Sequence, residues 1–202
     1  MNPQTMLARG KIRYTFFPTE QLGPFWAETL ARNIQNEPHL LPHNPATLRD
    51  AASGKRLIVV YDKENDLLVG CAAMWPLGES DEGIWFRFGT MFVIEPYRYR
   101  CSGMKIADEM YRRMLNMFSQ ANVLATTTNR VAVHAGLRAG LVRVRYEDLP
   151  CNIRRATCVC PASKTGIANP LYCPLVDTTC FVHVSRETYE RLGRPESPPF
   201  PF

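Results

Sequence analysis

The stretch IWFRFGTMFVI (Ile84–Ile94), with EPYRYRCSG (Glu95–Gly103) and MKIADEMYRRMLNMF (Met104–Phe118) after it, decides how the rest of the chain is read. The first run is apolar on both faces, the pattern of a central strand covered on two sides. The second reads as a loop with a glycine next to the following element. In the third, Met104, Ala107, Met110, Tyr111, Met114 and Phe118 recur at i, i+3, i+4 spacing, which predicts an amphipathic helix. Strand, connection and helix in this order mark a crossover unit of a sheet-and-helix fold.

Upstream, Arg13–Phe17 is a short aromatic strand ended by Pro18, and Glu20–Gln35 carries helical spacing at Leu22, Phe25, Trp26, Leu30 and Ile34. A loop with proline and histidine runs from Glu37 to Asn44. Asn44-Pro45 then caps a short helix to Ser53, closed by Gly54. Arg56–Asp62 and Leu67–Trp75 are strands joined by the polar turn Lys63–Asp66, and a loop with Gly78 and Gly83 leads to the central strand. Downstream, Asn122–Thr128 is a strand, Asn129 caps a helix to Ala139, and Gly140 ends it. Leu141–Glu147 alternates like a strand. Asp148–Asp177 has no clear period, Thr178–Val184 is a last strand, and SRETYERL a short helix before the tail GRPESPPFPF. An antiparallel meander followed by crossovers gives an α/β (α+β) mixed sheet with helices on both faces.

The chain of 202 residues fits one domain with added segments, and its 46% hydrophobic content excludes wholesale disorder. No apolar run reaches the ~18–20 residues of a membrane helix. The start has no apolar signal region, and seven thinly spread cysteines read as reduced thiols of a cytoplasmic protein. The net charge is +5, and the excess is local: residues 98–155 hold eleven basic and four acidic side chains. Phosphate groups, nucleic acid or a solvated helix face would each suit that stretch.

Two segments resemble the GCN5-related N-acetyltransferase (GNAT) superfamily. In that family the loop after the central strand holds the coenzyme A pyrophosphate on backbone amides at a helix start, where unsatisfied N–H groups attract an anion. The family pattern Arg/Gln-x-x-Gly-x-Gly/Ala matches Arg100-Cys101-Ser102-Gly103-Met104-Lys105 at Arg100 and Gly103. Lys105 stands where the family has a small residue, and Pro96–Gly103 is about one residue longer than usual. NRVAVHAGLRAGL (Asn129–Leu141) is similar to the family's Asn-x-x-Ala-x-x-x-Tyr-x-x-x-Gly-Phe element at Asn129, Ala132 and Gly140. The family tyrosine, often the acid for the departing thiolate, falls on Gly136, and Leu141 replaces the phenylalanine.

The resemblance implies a GNAT-like core over residues 1–148, a Cys- and Pro-bearing insertion over 149–177, a completing strand and helix over 178–192, and a Pro-rich tail over 193–202. It implies acetyl-CoA as co-substrate. The backbone of Met91, Phe92 and Val93 would meet the thioester carbonyl. Arg98, Arg100, Cys101, Ser102, Gly103, Met104, Lys105 and Asn129 would hold the coenzyme. Glu95 is a candidate base, with pairing to Arg98 or Arg100 as its structural alternative. His134 lies two residues from Gly136, so it points roughly 200° away on a helix and replaces a tyrosine poorly. Tyr97 and Tyr99 are alternative acids. Cys158, Cys160, Cys173 and Cys180 lack the tight pairs of a zinc site, so no metal is expected.

Two functions follow. One is a coenzyme A-dependent N-acyltransferase acting on an amine. The other is a non-catalytic GNAT-like assembly protein, of the kind found inside short-tailed phage virions, whose tail docks on a second copy or another partner. Its location would be the cytoplasm, or the virion if phage-encoded. No stacking-aromatic or recognition-helix pattern accompanies the basic excess, so nucleic acid ranks behind both, and no membrane is involved.

Overall fold

The computed structural model describes residues 14–18, 22–37, 40–98, 101–157 and 180–193, with the backbone alone at 14–18 and 101–105. Strand β1 is Tyr14–Pro18, followed by helices α1 (Pro24–Gln35) and α2 (Pro45–Ser53). Then come β2 (Leu57–Asp62), β3 (Leu67–Ser80) and β4 (Gly83–Val93). A single turn, α3 (Glu95–Arg98), precedes the long helix α4 (Cys101–Met117). The chain continues through β5 (Asn122–Thr127), α5 (Arg130–Arg138), β6 (Val142–Val144), α6 (Cys151–Thr157), β7 (Phe181–Val184) and α7 (Arg186–Leu192). The seven strands are hydrogen-bonded in the order β1-β2-β3-β4-β5-β7-β6. β1, β2 and β3 form the antiparallel meander, β4 and β5 are parallel, and β7 pairs antiparallel with both β5 and β6. This is the mixed sheet that the sequence predicts.

Contacts divide the chain into two compact units, Met1–Met74 with Thr90–Tyr111, and Trp75–Gly89 with Arg112–Phe202. In the first, α1 buries Ala27, Leu30 and Ile34, and α2 buries Leu48, Ala51 and Ala52. Asn44 caps α2 as its sequence predicts, its side-chain oxygen accepting from the Thr47 amide at 2.8 Å. The second unit is built around Trp85, Leu124, Val144, Tyr146, Leu149, Ile153, Val182, Val184 and Tyr189. Ser185 caps α7, and the Thr188 hydroxyl accepts from the Val123 amide at 2.9 Å, tying β5 to that cap.

Three local readings change. Glu95–Gly103, expected to be a loop, holds α3, and α4 already begins at Cys101. Pro96 sits in the first turn of α3, where its missing N–H costs nothing. β3 runs on to Ser80, past Pro76 and Gly78, to a hairpin turn. The turn is held by Trp85 Nε1 donating to Ser80 Oγ at 2.7 Å and by the Asn122 amide donating to the Glu82 carbonyl at 2.8 Å. The strand expected over Leu141–Glu147 shortens to Val142–Val144, because Asp148 accepts from the Arg145 amide at 3.2 Å and folds Tyr146–Asp148 into a 3-10 turn. The part of the expected insertion that is described opens with α6, whose Ile153 lies in the second unit's core.

Candidate functional site

The end of β4 departs from regular strand geometry. Thr90 has φ +53°, in the left-handed region, although it is β-branched and sits inside a strand. That conformation costs an L-residue about 1–2 kcal/mol, and such residues persist only where neighbours over-determine them. Two neighbours do so here. The Thr90 hydroxyl meets His43 Nε2 at 2.9 Å, and the Thr90 carbonyl accepts from the Cys71 thiol at 3.5 Å. Cys71 is fully buried, and burial pushes its pKa well up, so it serves as a neutral thiol donor. Beyond Thr90, Phe92 and Val93 are buried and Met91 is half-buried. β3 comes unusually close to this segment. A Cβ on Gly70 would lie 2.5 Å from the Phe92 carbonyl oxygen, and the Ile94 amide donates to the Val69 carbonyl at 2.8 Å. Glycine at 70 is therefore required by space.

The segment following the strand is anchored at three points. Arg98 donates from Nε to the Val93 carbonyl and pairs through its guanidinium with Glu37. The Tyr97 hydroxyl donates to Asp62 Oδ2 at 2.8 Å. Asp62 is completely buried, and it also accepts from the Glu64 amide at 3.0 Å and from Asn65 Nδ2 at 2.7 Å. Glu37 and His43 bracket the loop between α1 and α2, so that loop is pinned at both ends to the β4–α3 segment.

These contacts place the expected site residues as follows. Met91, Phe92 and Val93 lie at the end of β4. Glu95 is exposed at the head of α3, and Arg98 pairs with Glu37, not with Glu95. Cys101, Ser102, Gly103, Met104 and Lys105 form the opening of α4. Four N–H groups there have no acceptor within the helix. Arg100, Tyr99, Cys158, Cys160, Cys173 and the tail lie outside the described residues. Tyr97, read as a candidate acid, is buried and bonded to Asp62. In the second unit, Asn129 caps α5, its side-chain oxygen accepting from the Val131 amide at 2.9 Å. Gly136 is buried on α5 while His134 is exposed. Among the described residues, no cluster of three His, Cys, Asp or Glu could hold a metal, and no helix is long and apolar enough to cross a membrane.

Sequence reasoning missed His43, Thr90 and Gly70. Gly70 carried a signal, since a glycine within an apolar strand marks close approach of another backbone. The left-handed turn at Thr90 left no such trace, because nothing in a threonine favours that conformation.

No family model matches the sequence, and no curated protein matches it. Solved structures do match. Rv2747 from Mycobacterium tuberculosis, solved with coenzyme A, is 13% identical with a TM-score of 0.57, over 85% of this chain and 98% of that one. Arabidopsis thaliana Naa50, solved with a bisubstrate analogue, is 14% identical with a TM-score of 0.51, over 85% and 97%. N-acetylglutamate synthase from Neisseria gonorrhoeae, solved with coenzyme A and N-acetyl-glutamate, is 15% identical with a TM-score of 0.55. The match covers 87% of this chain and only 35% of that larger one. The chain has the GNAT fold.

Proposed function

We propose that this protein is a coenzyme A-dependent N-acyltransferase that moves an acetyl group from acetyl-CoA to an amine. The observation that carries the reading is the head of α4. Cys101 opens a helix of 17 residues directly after the central strand and its single-turn connection. Ser102 and Gly103 therefore stand in the first turn, where unsatisfied amides and the helix dipole favour a pyrophosphate. Coenzyme A in the neighbouring solved structures supports the same reading.

In this reading the backbone N–H groups of Met91–Val93 face the thioester carbonyl, and each donor to a developing oxyanion is worth about 10²–10³ in rate. Arg98 fixes the strand's end through the Val93 carbonyl, so the donors need not reorganise during reaction. Arg100 and Lys105 add positive charge for the phosphates. Glu95, exposed at the head of α3, is the candidate base, acting directly or through water.

A second reading, a non-catalytic assembly protein, rests on Gly136, which removes the family tyrosine. Titration of acetyl-CoA into the protein by calorimetry separates the two. Heat with a Kd below about 1 mM, abolished in Gly103→Trp, supports the acyltransferase. Absence of heat at millimolar acetyl-CoA refutes it.

A further inference from the structure

We propose that Arg87, with the space that Gly89 leaves beside it, forms a binding site for a carboxylate ligand within the second unit. The site is independent of the acyltransferase reading.

Arg87 is half-buried near the middle of β4. A guanidinium stays protonated at any working pH, and one taken out of water is costly unless it is paired. Among the described residues, the buried Nη1 of Arg87 has no hydrogen-bond partner. Burial lowers its pKa and is the sole cause of that shift, with no carboxylate opposing it. Side chains alternate along β4, so Trp85, Arg87 and Gly89 share one face. Arg87 stands opposite Leu124 in the parallel ladder, and Trp85 and Leu124 both belong to the second unit's core. The charge therefore lies on the apolar side of the sheet. Helix α6, which brings Ile153 into the same core, carries Arg154, whose buried Nε also has no partner among the described residues. Asp148, the buried acid beside Leu149 in sequence, is committed to Arg145 at 3.3 and 3.2 Å.

Space is available next to the unsatisfied donor. A Cβ built on Gly89 would meet Trp75 Cδ1 at 3.4 Å, Trp75 Nε1 at 3.6 Å and Arg87 Nε at 3.9 Å. These three nearest contacts are all ordinary, so the place of the missing side chain is open, walled by an indole edge and the guanidinium. The ladder between β4 and β5 runs from Trp85–Asn122 to Phe88–Ala125 and stops one residue before Gly89, while β5 goes on to Thr127. An unpaired cation, a missing side chain and the end of a strand pairing thus coincide. A carboxylate is planar, carries a single charge and takes two parallel N–H bonds from a guanidinium fork. A phosphate is tetrahedral and brings more charge than one guanidinium neutralises.

Thermal melts test the site with potassium acetate, propionate or L-glutamate, each against potassium chloride of equal ionic strength and against propionamide. At ligand levels well above Kd, at least one carboxylate should raise the wild-type Tm by about 2 °C or more, and propionamide should not. Arg87→Met should lose the response. Without ligand it should melt at or above the wild-type temperature, because it removes an uncompensated charge and keeps the bulk. Gly89→Ala meets only ordinary contacts, so it should fold normally and bind the same carboxylate several-fold more weakly. No rise with any of the three carboxylates in wild type overturns the proposal, and so does an undiminished rise in Arg87→Met or in Gly89→Ala. A larger response to potassium phosphate than to every carboxylate overturns it as well. A ligand-free Arg87→Met that melts well below wild type would show that the guanidinium already serves a group of the chain itself, which also overturns it.

Discussion

Gly70→Ala should disturb the site without touching a chemical group in it. The added Cβ would stand 2.5 Å from the Phe92 carbonyl oxygen, 3.4 Å from Val93 Cα and 3.5 Å from the Phe92 carbonyl carbon. All three are backbone atoms, so no side-chain rotation relieves the contact. β3 and β4 must separate by roughly 0.9 Å to reach an ordinary contact distance near 3.4 Å. Overpacking of this kind costs about 1–3 kcal/mol. The 2.8 Å bond from the Ile94 amide to Val69 lies one residue away and would stretch with it, adding about 0.5–1.5 kcal/mol. Alanine returns about 0.4–1 kcal/mol by restricting the unfolded chain. The net loss is ~0.5–4 kcal/mol, which lowers Tm by about 1–16 °C for a chain of this size. Because the displaced atoms belong to Phe92 and Val93, turnover should fall more than acetyl-CoA affinity. Thermal melts by circular dichroism and thiol release on acetyl-CoA supply both readings. A Tm within 1 °C of wild type would refute the close approach and the strand geometry built on it.

Asn129→Ala should cost about 1 kcal/mol through loss of the α5 cap, read as a lower urea midpoint. Weaker acetyl-CoA binding in the same variant would show that the side chain also meets the coenzyme, and unchanged affinity would confine it to capping. His183 is buried on β7, and burial, with Arg143 across the strand, lowers its pKa to about 4. The folded state thus resists protonation that the unfolded chain accepts near pH 6.5. Stability should be flat above pH 6.5 and fall as the pH drops towards 4, by ~2 kcal/mol between pH 7.5 and 5 from this group. Urea melts at the two pH values test it, and a slope unchanged in His183→Gln would refute the assignment.

The order of elements was legible because its signals are local. Asn44 and Ser185 cap the helices they precede, and the apolar spacing from Met104 to Met114 lies within α4. Boundaries failed where tertiary contacts decide them. Pro76 and Gly78 read as breakers, yet β3 passes through both because Trp85 and Asn122 hold the turn beyond them. The connection after β4 was legible as a break before a helix, although that helix opens at Cys101, ahead of Gly103. The loop with His43 was legible only as a loop, since its meaning depends on a contact 47 residues away. No local rule links a histidine before α2 to a threonine in β4.

The absent tyrosine at Gly136 matters less than its place in the family motif suggests, for a reason of acidity. A primary ammonium with pKa near 10.4 leaves only about 0.04% free amine at pH 7, so acyl transfer depends on removing a proton. A thiol of pKa near 8.5 departs as a tolerable thiolate and is protonated by water afterwards. The site can therefore lose its acid and keep its chemistry, provided a base remains. Two described tyrosines of the first unit agree with this. Tyr97 is committed to Asp62, and burial pushes the Tyr111 phenol upward so that it holds its proton. It follows that kcat/KM should not fall between about pH 7 and about pH 9, with no alkaline limb. Stopped assays of thiol release across that range check it. A fall above pH 8 with acetyl-CoA binding intact would reveal an essential acid, and so refute the view that removal of the ammonium proton alone carries the reaction.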